Sequence, residues 1–136
     1  MSHNITLSGV KIKDLDMLAE AAKNIAGNTV SLDKTATSFR TYPGQPTQCN
    51  ARINMPGKHD IGLRRNGDGT YTPVYDPYGL NHIFRAEYQI GKEAYIGKLL
   101  QEYALLEAEY EAAQQGMTTS RVPAENGTVT LELVSN

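Results

Sequence analysis

The chain has 136 residues, of which 13 are Lys or Arg and 15 are Asp or Glu, so its formal net charge is −2. One cysteine excludes an internal disulfide, and 40% hydrophobic residues with little net charge argue against intrinsic disorder. No apolar run approaches the roughly 20 residues of a membrane span, and the N-terminus lacks a secretion signal. A net charge near zero also argues against a protein that coats DNA without sequence specificity, since such proteins are normally basic. We expect one soluble, cytoplasmic domain over residues 1–136.

The N-terminal segment predicts a strand followed by a short helix. Residues 5–12 alternate apolar and polar side chains, with a phase slip at Gly9 that is typical of a β-bulge. Asp14 can cap a helix, and Gly27 can end one in a left-handed conformation. The apolar residues between them recur at helical spacing: Leu15, Leu18, Ala22, Ile25 and Ala26.

Residues 29–75 change to a period of two, which predicts a meander of three or four antiparallel strands. The turn residues 66–69 indicate a hairpin, and Pro73 in the returning strand favours an edge position because it lacks a donor. The apolar residues predicted to share the inner face are Ala51, Ile53, Met55, Ile61 and Leu63.

The second half of the chain predicts a long helix over residues 82–115, about 50 Å if unbroken. Gly91 and Gly97 are candidate breaks, since glycine is unfavourable inside a helix. Without a break, such a helix would project and need a partner. Its predicted apolar stripe comprises Phe84, Tyr88, Tyr95, Leu99, Tyr103, Leu106, Tyr110 and Ala113.

The chain ends in a predicted hairpin, with strands at 121–122 and 128–134 and with Val129, Leu131 and Leu133 pointing inward. Strands and helices cluster rather than alternate, which favours the α+β class. The expected architecture is an antiparallel sheet meander with a short N-terminal helix and a long helix of the C-terminal half packed on one face, and a closing β-hairpin.

Several stretches of the chain, in matching order, resemble a small uncharacterised family, the hypothetical chloroplast reading frame thirty-five family of plastids, cyanobacteria and phages. The stretches are residues 1–3, 12–15, 60–63 followed by Asn66, Gly67 and Tyr71, then 101–104, Gly116 and 126–131. The resemblance implies a fold and a bacterial, plastid or phage setting, so the expected location is the cytoplasm of a bacterial host cell or the plastid stroma. It implies no catalytic residues.

No residue pattern in the chain indicates catalysis or metal binding. His3, His59, His82 and Cys49 lack the close spacing of metal ligands or of a nucleophile with its base. A solvated acidic flank of the long helix accounts for its carboxylates better than an acid/base pair does, and these are Glu102, Glu107, Glu109 and Glu111. We expect no enzyme activity, no cofactor and no metal.

Charge distribution is the most informative feature of the sequence. Residues 40–65 carry a local net charge of +4, with Asp60 the one acid among them, whereas residues 85–115 carry −3. Because side chains alternate between the two faces of a strand, the predicted inner residues place Arg52 and Arg64 on the outer sheet face. The candidate binding residues on or near this face are Arg40, Tyr42, Arg52, Arg64, Arg65, Tyr71 and Tyr75. Arginines and tyrosines on a sheet face can bind phosphates and stack on bases, or they can form the centre of a protein interface. They can also be an ordinary solvated sheet face without a ligand.

The tyrosines of the helix stripe allow two interpretations, core packing with hydroxyls at the edge or an oligomer seam. The candidate interface residues are Tyr88, Tyr95, Tyr103 and Tyr110. We therefore expect a non-enzymatic binding or adaptor protein that engages a protein partner or itself. The alternative is a nucleotide or nucleic-acid binder, for instance a phage protein acting on a host factor or a signalling nucleotide.

Overall fold

The computed structural model describes residues 2–4, 11–41, 47–56, 59–75, 95–124 and 129–135. These contain two α-helices, α1 (Leu15–Ala26) and α2 (Tyr95–Gln114), and a 3-10 turn at Gly27–Thr29. The strands are β1 (Ser2–Asn4), β2 (Ser31–Asp33), β3 (Ser38–Phe39), β4 (Thr47–Gln48), β5 (Ala51–Asn54), β6 (Ile61–Arg65), β7 (Tyr71–Val74), β8 (Met117–Pro123) and β9 (Val129–Ser135). The α+β class is confirmed. No helix of the described part of the chain is long and apolar enough to cross a membrane.

Helix α1 begins and ends where its capping residues predict. Asp14 Oδ1 accepts hydrogen bonds from the backbone N–H groups of Asp16 and Met17 at 3.0 and 3.1 Å, which satisfies two donors of the first turn. Gly27 follows the helix with a positive φ of 63°. The strand predicted over residues 5–12 falls mostly outside the described residues, although Ile12 forms a bridge with Tyr71.

The main sheet has the order β2-β5-β6-β7, and every pairing in it is antiparallel. The meander is therefore confirmed, and Pro73 lies in the edge strand β7, where its missing donor costs no hydrogen bond. The predicted parity is also confirmed, because all five expected inner residues are buried at 4% exposure or less: Ala51, Ile53, Met55, Ile61 and Leu63.

A two-stranded ribbon, β3-β4, packs over part of the outer face of the main sheet. Phe39 of the ribbon lies directly on Gly62 of β6, and a Cβ added at Gly62 would come within 2.3 Å of the Phe39 ring. This close approach explains a glycine inside a strand. One side chain larger than hydrogen at this position would lift the ribbon from the sheet.

Helix α2 buries two different faces, and this contradicts the predicted single stripe. Leu99 and Tyr103 join the core shared with α1 and the main sheet. Further along, Leu105 and Ala112 are buried instead, while Tyr110 is 59% exposed. The prediction of an inward Tyr110 is wrong because α2 packs against both α1 and β8, so its buried residues do not form one stripe. The helix runs through Gly97 without a break, and residues 82–94 lie outside the described part.

The terminal sheet has the order β1-β9-β8, so the N-terminal strand pairs with the closing hairpin. Leu131 is buried, as expected. Arg121 of β8 bonds two carboxylates of α2, with Nη1 2.7 Å from Glu102 Oε1 and Nη2 2.7 Å from Glu109 Oε1. Glu102 also accepts from Asn24 of α1 at 2.9 Å. The expectation of a solvated acidic flank is therefore wrong for these two glutamates, which join three elements.

Candidate functional site

The four arginines predicted to bind anions divide into two pairs, and Arg40 belongs to the pair held by carboxylates. Its Nε and Nη2 each lie 2.9 Å from an oxygen of Asp60, a bidentate arrangement. Asp60 is only 2% exposed, and it also accepts from the backbone N–H of Met55 at 3.0 Å. This pair joins the end of β3 to the connection between β5 and β6, so the guanidinium of Arg40 is already engaged.

The carboxyl of Asp60 keeps its charge in this buried setting. Burial raises its pKa, but hydrogen bonds from Arg40 and from the Met55 N–H outweigh burial, so its pKa lies below the ordinary value. The same pair raises the pKa of Arg40. Asp60 was visible in the sequence as the one acid in a basic stretch, and that isolation is the signal that could have identified it as a partner.

Arg52 lies on the outer face of β5, as predicted, and it is also engaged. Its Nη2 is 3.5 Å from Asp33 Oδ2 on β2, and its Nη1 donates to the carbonyl of Ser38 at 2.9 Å. Its Nε donates to Asn54 Oδ1 at 2.6 Å. Arg52 therefore holds the ribbon against the main sheet rather than presenting a free cation.

Arg64 and Arg65 form the second pair, and both are exposed at the end of β6. Within the described residues, neither forms an ion pair with a carboxylate. Arg64 Nε donates to the carbonyl of Gln48 at 3.3 Å, and the Arg65 N–H donates to Asn50 Oδ1 at 2.8 Å. Arg64 is thus anchored through its side chain, and Arg65 through its backbone, to the segment that leads from the ribbon to β5.

These two arginines border an open groove of about 390 Å³, which we call the arginine groove. Its lining is Thr37, Gln48, Cys49, Asn50, Arg64 and Arg65, and it contains no carboxylate. Cys49 is the buried member of this lining, and burial raises the pKa of its thiol, which therefore adds no negative charge. The arrangement can attract an anionic group and hydrogen-bond it. Sequence analysis missed Thr37, Gln48 and Asn50, since only the folded ribbon brings them beside β6.

The structure does not bring the predicted sheet tyrosines to the outer face with Arg64. Leu63 pairs with Pro73, which puts Tyr71 and Tyr75 on the inner side, and both rings pack against the core. Arg65 pairs directly with Tyr71, so its side chain leaves β6 on the inner side of the sheet, opposite to that of Arg64. Tyr42 lies outside the described residues. No described tyrosine therefore stands as a stacking platform on the outer face.

The helix tyrosines also separate. Tyr103 is fully buried, and its hydroxyl accepts from the backbone N–H groups of Lys13 and Asp14 at 2.8 and 3.1 Å while donating to Glu107 at 3.2 Å. It therefore holds the start of α1 against α2 and is not available to a partner. Tyr110 is exposed on the same helix. Tyr88 and the side chain of Tyr95 lie outside the described residues.

A second, more apolar groove of about 260 Å³ lies between the C-terminal half of α2 and the terminal sheet. Its lining is Ala108, Glu111, Ala112, Gln115, Met117, Leu131 and Leu133. The described residues contain no group of three or more His, Cys, Asp or Glu side chains that could hold a metal ion.

A family model described as a protein of unknown function, DUF1257, matches residues 27–132. The chain belongs to the DUF1257 family. The match spans the main sheet, the ribbon, α2 and most of the closing hairpin, so the arginine groove lies wholly within the DUF1257 region. No curated protein and no solved structure matches the chain. The predicted resemblance to an uncharacterised family is thus confirmed at this level.

Proposed function

We propose that this DUF1257 protein is a non-enzymatic binding or adaptor protein that engages an anionic segment of a partner protein at the arginine groove. The observation that carries the proposal is the exposed Arg64 in a groove whose lining contains no carboxylate, and neither Arg64 nor Arg65 has a carboxylate partner among the described residues. The other two arginines of the predicted set each have one. The proposal needs no catalytic step, cofactor or metal.

Physical chemistry supports an anionic partner at this place. Arginine presents a planar fork of donors that fits carboxylate and phosphoryl oxygens, and it is enriched at the centres of protein interfaces. Gln48 and Asn50 add amide groups to the lining of the same groove. The groove therefore offers charge and hydrogen bonding in one place.

A synthetic glutamate-rich peptide with a fluorescent label tests this proposal by anisotropy. We expect the full-length protein to bind it, with an affinity that falls as salt rises. Arg64→Glu should weaken binding by about tenfold or more, about 1.4 kcal/mol or more. Lys13→Glu is the matched control, because Lys13 is exposed and makes the same charge change outside the groove. Equal affinity of the two variants would contradict the proposal.

Nucleotide or nucleic-acid binding is the second candidate, since the same arginines suit phosphates. The inward packing of Tyr71 and Tyr75 counts against it, because stacking platforms supply much of the affinity for single strands. A labelled single-stranded oligonucleotide measures it directly. Binding tighter than that of the glutamate-rich peptide, with a steep salt dependence, would make this the better interpretation.

Self-association is the remaining form of the adaptor proposal, with the exposed Tyr110 on the helix as its candidate contact. Sedimentation at several concentrations tests it, and Tyr110→Glu should then favour the monomer.

We also propose the cytoplasm or stroma of a bacterial, plastid or phage-infected setting, as the reading-frame family implies. A fluorescent fusion expressed in such a cell would show the location.

A further inference from the structure

We propose that strand β8 is the contact through which two copies of this chain associate, by pairing antiparallel with β8 of the other copy. The two terminal sheets then form one continuous sheet, with the order β1-β9-β8-β8-β9-β1. This inference goes beyond anion binding, because β8 contributes no residue to the arginine groove. It assigns the surface for self-association, and its failure leaves the groove proposal untouched.

Strand β8 has the longest open edge in the described part of the chain. Its seven residues pair with β9 on one side, and no described strand lies on the other. In an antiparallel pair, alternate residues direct their N–H and C=O groups away from the partner strand. Such a row of backbone donors and acceptors is a template for a further strand.

The other sheet edges of the described chain are short or blocked. The edge strands β1 and β2 have three residues each, and the two ribbon strands have two each. Strand β7 has four residues, one of them Pro73, and its Tyr71 N–H already donates to the carbonyl of Ile12 at 2.8 Å. Short strands, proline and cover protect sheet edges. In β8 the proline stands at the last position, Pro123, so the rest of the strand keeps its donors.

The sequence of β8 fits an antiparallel copy of itself in one register. With Ser120 opposite Ser120 of the other copy, all seven residues of each strand have a partner, and the contact has two-fold symmetry. Thr119 then lies opposite Arg121 of the other copy, so like charges do not meet. Registers centred on Thr119 or Arg121 leave strand residues unpaired, and the second also sets two guanidinium groups against each other.

Two exposed valines gain apolar neighbours in this register. Val122 and Val134 are 41% and 57% exposed, and they belong to the face of the terminal sheet opposite to the buried Leu131. Val134 pairs with Thr118 of β8, and Thr118 lies opposite Val122 of the other copy. A row of β-branched side chains therefore crosses the contact on each side of Ser120, as in a well-packed sheet.

The single charged side chain of β8 brings no unbalanced charge to the contact. Arg121 lies on the inner face, where its guanidinium is 2.7 Å from both Glu102 and Glu109 of α2. A charge on an edge strand normally discourages a second strand, but this one is compensated within its own copy. The other side chains of β8 are uncharged. Such a strand fits a second copy of itself rather than a charged segment of another protein.

Cysteine cross-linking of the full-length protein measures both the contact and its register. In Ser120→Cys the two new thiols lie opposite each other, with Cα atoms about 4.5–5.5 Å apart, a separation that a disulfide spans. Thr118→Cys is the matched control, because it is exposed on the same face but sets its two thiols about 13 Å apart at about 3.3 Å per residue. With oxidised glutathione as the oxidant, we expect at least about fivefold more covalent dimer from Ser120→Cys on a non-reducing gel.

Sedimentation at several concentrations measures the association itself. We expect the wild-type protein to approach twice the mass of one chain as its concentration rises. Ser120→Lys sets two ammonium groups opposite each other and should raise the dissociation constant at least about tenfold, whereas Ser120→Thr should associate like the wild type. The new lysine has Glu132 as its neighbour on β9, which favours a folded monomer, and circular dichroism checks the fold.

Three results would each overturn the proposal: the mass of one chain at every concentration, equal cross-linking of Ser120→Cys and Thr118→Cys, or unchanged association of Ser120→Lys. Association that is lost in Tyr110→Glu but kept in Ser120→Lys would place the contact on α2 instead. Arg64→Glu should associate like the wild type, so this inference and the proposed function fail in different variants.

Discussion

The Arg40–Asp60 pair, which we call the Arg40 corner, lies at the start of β6, and the arginine groove lies at its end. Arginine has a different role in each place. At the corner, Arg40 meets the buried carboxylate of Asp60 in a bidentate pair. In the groove, the side chain of Arg64 bonds only the neutral carbonyl of Gln48 among the described residues. The difference is one acid within reach. A cation without such an acid is the one that remains available to a partner.

The largest expected effect on the free energy of unfolding comes from removing the carboxylate of the Arg40–Asp60 pair. Asp60→Asn removes a buried charge that accepts from Arg40 and from the Met55 N–H. Breaking a buried pair costs about 3–5 kcal/mol, and the half-exposed Arg40 should bring this to the lower end. Urea denaturation measures the free energy of unfolding. A loss below about 1 kcal/mol would mean that the corner is no more structural than an ordinary surface pair.

The pH dependence of stability tests the same carboxylate in the wild-type chain. The folded pKa of Asp60 is lowered below the unfolded value of about 3.9. Its contribution is therefore present above that unfolded pKa and is lost as pH falls through the folded pKa. Wild-type stability should drop more steeply below about pH 4 than that of Asp60→Asn. Parallel curves would contradict this assignment.

A smaller effect is expected at Arg52, the second engaged arginine. Arg52→Ala removes a bond to the Ser38 carbonyl and a partly exposed ion pair with Asp33. We expect a loss of about 1 kcal/mol in the free energy of unfolding, since neutral and surface pairs contribute about that much. Thermal unfolding measures it. A loss as large as that of Asp60→Asn would remove the distinction between the buried and the exposed pair.

The smallest effect on stability is expected in the groove. Arg64→Ala should change the free energy of unfolding by no more than about 0.5 kcal/mol, as for most surface substitutions. The same variant should weaken binding of the glutamate-rich peptide several-fold. A marked loss of stability with unchanged binding would reverse the roles of the two regions.

Local patterns made most of the fold predictable. The alternation around Ile53 and Leu63 predicted which sheet face is buried, and the capping chemistry of Asp14 and Gly27 predicted both ends of α1. The buried residues of α2 were harder to predict. One apolar stripe was expected, whereas α1 and β8 cover two different faces of the helix. Local spacing does not report when a helix changes its packing partner.

The candidate site was predictable only in part, for a related reason. Parity placed Arg52 and Arg64 outward, but it could not show which cation meets an acid 20 residues away, as Arg40 does. Parity does place Tyr71 and Tyr75, with Leu63 and Pro73, on the inner face, once the register of β6 and β7 is known. The groove itself depends on the ribbon, whose contact at Phe39 and Gly62 is long-range.

The central claim is that an anion binds at the arginine groove, and amide chemical-shift mapping tests this directly. The ¹⁵N-labelled full-length protein is titrated with the glutamate-rich peptide. We predict shift changes centred on residues 48–50 and 64–65, with little change at Arg40 or along α2. Changes centred on α2 and the terminal sheet, or no saturable change at residues 48–50 and 64–65, would contradict the account.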